Sequence, residues 1–67
     1  MNGIDPYAVM QRAAGRIKES QDPAELDRLL DDIEYLYEVL DPELQGLAEQ
    51  VMARLRERIA ELRIRSD

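Results

Sequence analysis

Apolar residues recur through most of the chain with the period of an α-helix. In its middle part they follow the i, i+3, i+4, i+7 spacing that places side chains on one face of a helix. This stripe consists of Leu26, Leu29, Leu30, Ile33, Leu36, Tyr37 and Leu40. A second stripe of the same kind consists of Leu44, Leu47, Ala48, Val51, Leu55, Ile59 and Leu62. The pattern therefore predicts two strongly amphipathic helices, each with one face to bury.

A weaker apolar stripe precedes these two. It contains only Tyr7, Met10, Ala14 and Ile17, and Gly15 lies within it. A glycine in the interior of a helix costs about 1 kcal/mol relative to alanine. We therefore expect a first helix that either crosses a neighbour closely at Gly15 or is held more loosely than the other two.

Each stripe begins soon after an Asp-Pro pair. Proline is favoured at the first position of a helix, and its ring holds the preceding residue in the extended conformation that a helix cap requires. Aspartate is among the best caps, because its carboxylate accepts hydrogen bonds from the free N–H groups of the first turn. The pairs are Asp5-Pro6, Asp22-Pro23 and Asp41-Pro42. They predict helices at about 6–19, 23–40 and 42–64.

The joints between these helices are short. Only Ser20 and Gln21 separate the first two helices, and Glu25 stands where a capping box with Asp22 would place it. A corner at Asp41 would fold the second and third helices into an antiparallel hairpin. We therefore predict an all-α fold, a small up-down-up three-helix bundle formed by residues 1–67 as a single domain. The alternative is one long helix kinked at the third Asp-Pro pair, which would expose both strong stripes and force dimerisation.

Composition limits how such a bundle can be stabilised. A chain of 67 residues is near the lower limit for an independent core, and it contains no cysteine and no histidine. The bundle must therefore pack efficiently or be completed by dimerisation. The net charge of −6 argues against nucleic acid or an anionic membrane as the main partner. With no secretory signal and no membrane-length apolar run, we expect a cytoplasmic protein.

Catalytic and cofactor motifs are absent from the sequence. No histidine is available to activate Ser20 or Ser66, and the three glycines are isolated from one another. We therefore expect no enzyme and no cofactor. A rival hypothesis is a metal-dependent helical protein that uses the carboxylates between Asp31 and Glu38. Because Asp31 and Asp32 diverge by about 100° on a helix, we expect a solvated face and no metal there.

Several small or apolar residues lie off the main stripes and could bind a protein partner. Tyr35 and Val39 are i, i+4 neighbours on the second helix. On the third, a small-residue seam of Gly46, Ala53 and Ala60 has seven-residue spacing, with Ile64 beside its last member. Such a seam permits another helix to approach closely, and tyrosine is a favoured interface anchor. The simpler interpretation is that these faces only contact the first helix.

An acidic row is the other candidate surface. Asp27, Asp31, Glu34 and Glu38 recur at i, i+4, i+7 and i+11 along one side of the second helix. The row could steer a basic protein surface into contact, or it could be no more than a solvated outer face.

These observations favour a non-enzymatic protein–protein interaction module. We expect a small acidic helical adaptor, chaperone or inhibitor that acts through helix–helix packing, either as a homodimer or with another protein. The alternative is a nucleic-acid-associated regulatory protein that uses the arginine-rich third helix. Glu57 and Glu61 interrupt those arginines, and no aromatic residue is interleaved with them.

Overall fold

The computed structural model describes residues 5–65, which form three α-helices. They are α1 (Pro6–Glu19), α2 (Pro23–Tyr37) and α3 (Pro42–Arg65). Each helix contacts the other two, and the most extensive contact is between α2 and α3. The predicted all-α three-helix bundle is confirmed.

The first two Asp-Pro pairs cap their helices as the sequence predicts. Asp5 and Asp22 both have extended backbone conformations. The Oδ1 atom of Asp5 accepts a hydrogen bond from the N–H of Tyr7 at 3.1 Å, and Oδ1 of Asp22 accepts one from Ala24 at 3.0 Å. At the third pair, the carbonyl oxygen of Asp41 accepts backbone hydrogen bonds from the first turn of α3. The three pairs are therefore helix starts.

The joint between α1 and α2 is closed by a serine. Ser20 is buried, and its Oγ accepts a hydrogen bond from the N–H of Asp22 at 3.1 Å while donating to Oε1 of Glu25 at 2.7 Å. In the predicted capping box, Glu25 would accept a hydrogen bond directly from the N–H of Asp22. In the structure the hydroxyl group of Ser20 lies between them and bonds to both. Glu25 is used instead to hold Arg16 of the preceding helix, whose Nε and Nη2 donate to its two carboxylate oxygens at 2.8 and 3.0 Å.

The joint between α2 and α3 is a corner, as the hairpin prediction requires. Helix α2 ends at Tyr37, three residues before the predicted end, and the chain continues in a tighter turn in which the N–H of Leu40 donates to the carbonyl of Tyr37 at 3.3 Å. Asp41 is disfavoured in helical conformation because a proline follows it. The side chain of Gln45 donates to the same Tyr37 carbonyl at 3.3 Å. A continuous kinked helix is therefore excluded.

The core lies mainly between the two strong stripes. Helix α1 contributes only Met10 and Ala13 as fully buried residues, and Ala14, which the sequence assigned to the buried face, is exposed. The other buried apolar residues are Leu26, Leu30, Ile33, Leu36, Leu40, Ala48, Val51, Met52, Leu55, Ile59 and Leu62. A Cβ atom added at Gly15 would meet no described atom within 4 Å. Gly15 therefore marks no close helix crossing. Of the two alternatives that the sequence offered, a loosely held α1 is the one that remains.

Candidate interaction surface

The off-stripe residues are exposed to solvent. The exposed fraction is 81% for Tyr35, 75% for Val39 and 73% for Ile64, and the small-residue seam of Gly46, Ala53 and Ala60 is exposed along its length. The first helix therefore does not cover these side chains, as the simpler interpretation had expected. They also do not form one continuous surface, because Tyr35 borders α1 whereas Ile64 borders the opposite side of α2.

A groove of about 220 Å³ runs between α1 and α2. Its lining residues are Val9, Arg12, Leu29, Asp32, Tyr35 and Leu36, and we call it the α1–α2 groove. Leu36 is buried beneath it, while Val9 and Leu29 are half-buried. The groove thus has an apolar floor with a tyrosine ring beside it.

Most residues of this groove were not candidates in the sequence. Leu29 and Leu36 were assigned to the core stripe, and neither Val9 nor Arg12 was predicted to bind a partner. One signal was available. The apolar stripe of α2 is wider than the narrow face of α1 that has to cover it. Some apolar surface beside α1 was therefore to be expected.

Two opposite charges stand on the walls of the α1–α2 groove. Arg12 lies on α1 and Asp32 on α2, and both are exposed. Within residues 5–65, neither side chain makes an ion pair. The Arg16–Glu25 pair ties the same two helices together near their shared joint. Hydrogen bonds from Arg16 and then from Ser20 lower the pKa of Glu25, because they stabilise its charged form.

A second groove of about 440 Å³ lies between α2 and α3. Its lining residues are Asp27, Leu30, Arg56, Ile59, Ala60, Arg63 and Ile64, and we call it the α2–α3 groove. It brings Ala60 and Ile64 together with one member of the acidic row.

Ion pairs join α2 to α3 within the α2–α3 groove and beside it. Nη2 of Arg63 lies 2.9 Å from Oδ2 of Asp27, and Nη2 of Arg56 lies 3.0 Å from Oε2 of Glu34. Tyr37 also donates a hydrogen bond from α2 to Glu49 of α3, which raises the pKa of the tyrosine. Two of the four acidic-row residues are therefore engaged within the protein. Asp31 and Glu38 are exposed.

Several arginines of the arginine-rich helix α3 form ion pairs within the protein. Arg56 and Arg63 pair with α2, and Arg58 pairs with Glu61 at 3.3 Å. These pairs reduce the positive charge that α3 offers to a phosphate backbone. Nucleic-acid binding remains a rival prediction, and an electrophoretic mobility assay at moderate salt tests it.

The fold does not gather the carboxylates of the metal hypothesis into one cluster within the described residues. In the part of the chain that the structure describes, no group of three or more acidic side chains is placed to hold a metal ion. Over the same residues, no helix has both the length and the apolar character needed to cross a bilayer.

Comparison with protein-family models, with curated proteins and with solved structures finds no match to this chain. The case for a function therefore rests on the two grooves and on the exposed side chains beside them.

Proposed function

We propose that the protein is a non-enzymatic protein–protein interaction module, a small acidic helical adaptor, chaperone or inhibitor that associates with itself through helix packing. One observation carries the proposal: the side chain of Tyr35 is 81% exposed beside the apolar floor of the α1–α2 groove. Burial of a tyrosine ring in an interface is favourable, and in the free protein its hydroxyl group can hydrogen-bond to water. Tyr35 is therefore suited to a surface that is alternately free and bound.

The size of the domain also favours association. A domain of about 60 residues buries only about 60% of the surface that its unfolded chain exposes. Here α1 covers α2 incompletely, so that Val9 and Leu29 keep apolar surface in contact with water. A second helical layer over this face would remove that surface from water.

Mass measurement in solution tests the proposal. Sedimentation equilibrium over a concentration series should show the mass rising from 7.8 kDa toward twice that value. Tyr35→Ala should shift the rise to higher concentration, because it removes the exposed ring. Tyr7→Ala is the matched control, since it makes the same truncation at a half-exposed tyrosine that lines neither groove.

Ala53→Glu examines the rival surface on the small-residue seam. If the wild type stays a monomer at every concentration and neither Tyr35→Ala nor Ala53→Glu changes its mass, self-association is excluded. The interaction would then have to involve a different protein.

A further inference from the structure

The two helices that form the walls of the α1–α2 groove have net charges of opposite sign. Helix α1 carries a net charge of +2 and α2 a net charge of −4. At the groove itself the contrast reduces to Arg12 on one wall and Asp32 on the other. Neither has an ion-pair partner within residues 5–65, so each presents an available charge beside the same apolar floor.

A surface with opposite charges on its two sides is complementary to itself. A twofold axis that runs along the groove places α1 of each copy on α2 of the other, so that each wall meets the wall of opposite charge. We infer that the α1–α2 groove is the docking site for a second copy of this chain, with Arg12 of each copy paired to Asp32 of the other. This inference rests on the proposed function and specifies where self-association occurs.

The same operation provides an occupant for the apolar floor. Because α1 and α2 are antiparallel and joined by a short turn, the level of Tyr35 on α2 corresponds to the start of α1, near Val9. The twofold axis therefore brings the Tyr35 ring of each copy toward Val9 of the other. The four helices so assembled form a bundle in which α1 and α2 of the two copies alternate.

The dimensions of the groove favour side chains over a small-molecule ligand. Ligand sites usually enclose about 300–1,000 Å³, whereas this groove offers about 220 Å³. The protein has a surface of 4742 Å². A stable interface buries about 800 Å² on each partner, which is about one sixth of this surface. One face of a three-helix bundle can supply that fraction.

The α2–α3 groove is a weaker candidate for the same occupant. Its arginines are already paired with α2, Arg63 with Asp27 of the opposite wall and Arg56 with Glu34 beside the groove. A second copy docked there would have to compete with these pairs, whereas at the α1–α2 groove it would meet two charges that have no ion-pair partner in the described part of the chain.

Charge reversal on the two walls tests the inference. In Arg12→Asp alone, or in Asp32→Arg alone, a homodimer would contain two like-charge contacts. In a mixture of the two variants, the heterodimer would contain two attractive contacts. We expect each variant alone to raise the dimer dissociation constant about tenfold or more, and the equimolar mixture to return it to within about threefold of the wild-type value.

A second pair of variants controls for net charge. Arg54→Asp and Asp31→Arg make the same changes in net charge at exposed residues outside the groove. Their mixture should associate no more tightly than the average of the two variants alone. Circular dichroism checks that all four variants are helical. The swapped chain that carries both Arg12→Asp and Asp32→Arg should dimerise like the wild type even if one single variant folds poorly.

The outcomes separate the inference from the proposed function. If the wild type dimerises but the groove variants associate no better when mixed than the control pair, the docking site is elsewhere and only the inference fails. If the wild type is a monomer throughout, self-association itself fails and the inference fails with it. Preferential heterodimers from the groove variants alone would support both.

Discussion

The two grooves that flank α2 differ in how their charges are satisfied. Across the α2–α3 groove, Asp27 and Glu34 each meet an arginine of α3. Across the α1–α2 groove, Arg12 and Asp32 lie on opposite walls above an apolar floor. The charges of the first groove are paired within the protein, whereas Arg12 and Asp32 of the second have no ion-pair partner among residues 5–65.

The difference originates in the helix that covers each side of α2. Helix α3 has 24 residues and is longer than α2, which has 15, and Arg56 and Arg63 of α3 meet carboxylates of α2. Helix α1 has 14 residues, and only Met10 and Ala13 are fully buried on it. A short helix with a small buried face leaves the edge of its neighbour uncovered.

The largest expected effect tests whether the α2–α3 contact dominates stability. Leu55 is completely buried on α3. Leu55→Ala should lower the free energy of unfolding by about 3 kcal/mol, because it removes a large core side chain and leaves a cavity. Urea denaturation followed by circular dichroism measures the loss. A loss below about 1 kcal/mol would mean that the core between these two helices collapses easily around the truncated residue. It would contradict the prediction that the α2–α3 contact dominates stability.

The next effect concerns the joint that attaches α1 to α2. Ser20→Ala removes the acceptor for the N–H of Asp22 and a donor to Glu25. We expect a loss of about 1–2 kcal/mol in the free energy of unfolding, since two partly buried hydrogen bonds are lost, one of them to a charged carboxylate. Ser20→Thr, which keeps the hydroxyl, is the control. An Ala variant as stable as the wild type would show that α1 does not depend on this joint.

The fold was largely predictable from the sequence, and the groove was not. The two strong stripes and the three Asp-Pro pairs fixed the number of helices and their starts. The predicted end of α2 was wrong. Leu40 fits the apolar stripe, but its buried side chain belongs to the turn that follows the helix. The exposure of Tyr35 follows from its off-stripe position. The placement of Arg12 beside Asp32 depends on how α1 is rotated against α2, which no periodicity in the chain specifies.

A glycine in α1 offers a stabilising test of the weaker helix. A side chain added at Gly15 would meet open space in the described structure. Gly15→Ala should therefore raise the free energy of unfolding by about 0.5–1 kcal/mol, because alanine restricts the unfolded chain and favours helix. Thermal denaturation measures the gain, and Gly46→Ala is the matched change in α3. If Gly15→Ala destabilises the protein, α1 contacts something at this position, and its looser attachment is contradicted.

The ion pairs of the α2–α3 groove should contribute less than its apolar contacts. The side chains of Arg56 and Glu34 are both about half exposed, so Arg56→Gln should lower the free energy of unfolding by about 0.5 kcal/mol, and less at high salt. Denaturation at two salt concentrations measures this. A salt-independent loss above about 1.5 kcal/mol would indicate that charge, more than packing, holds α3 to α2.

The smallest effect concerns the pH dependence of the α1–α2 attachment. Arg16 and Ser20 lower the pKa of Glu25 below its ordinary value of 4.5 in the folded protein. A group of this kind stabilises the fold above its unfolded pKa, and that stabilisation is lost as the pH falls through the folded pKa. The difference in unfolding free energy between wild type and Glu25→Gln should therefore be constant above about pH 5 and shrink below about pH 4.5. Arg16→Gln should converge with the wild type over the same range, because it removes the donor that causes most of the shift. If the difference for Glu25→Gln stays constant down to about pH 3, the Arg16–Glu25 pair does not stabilise the fold through its charge.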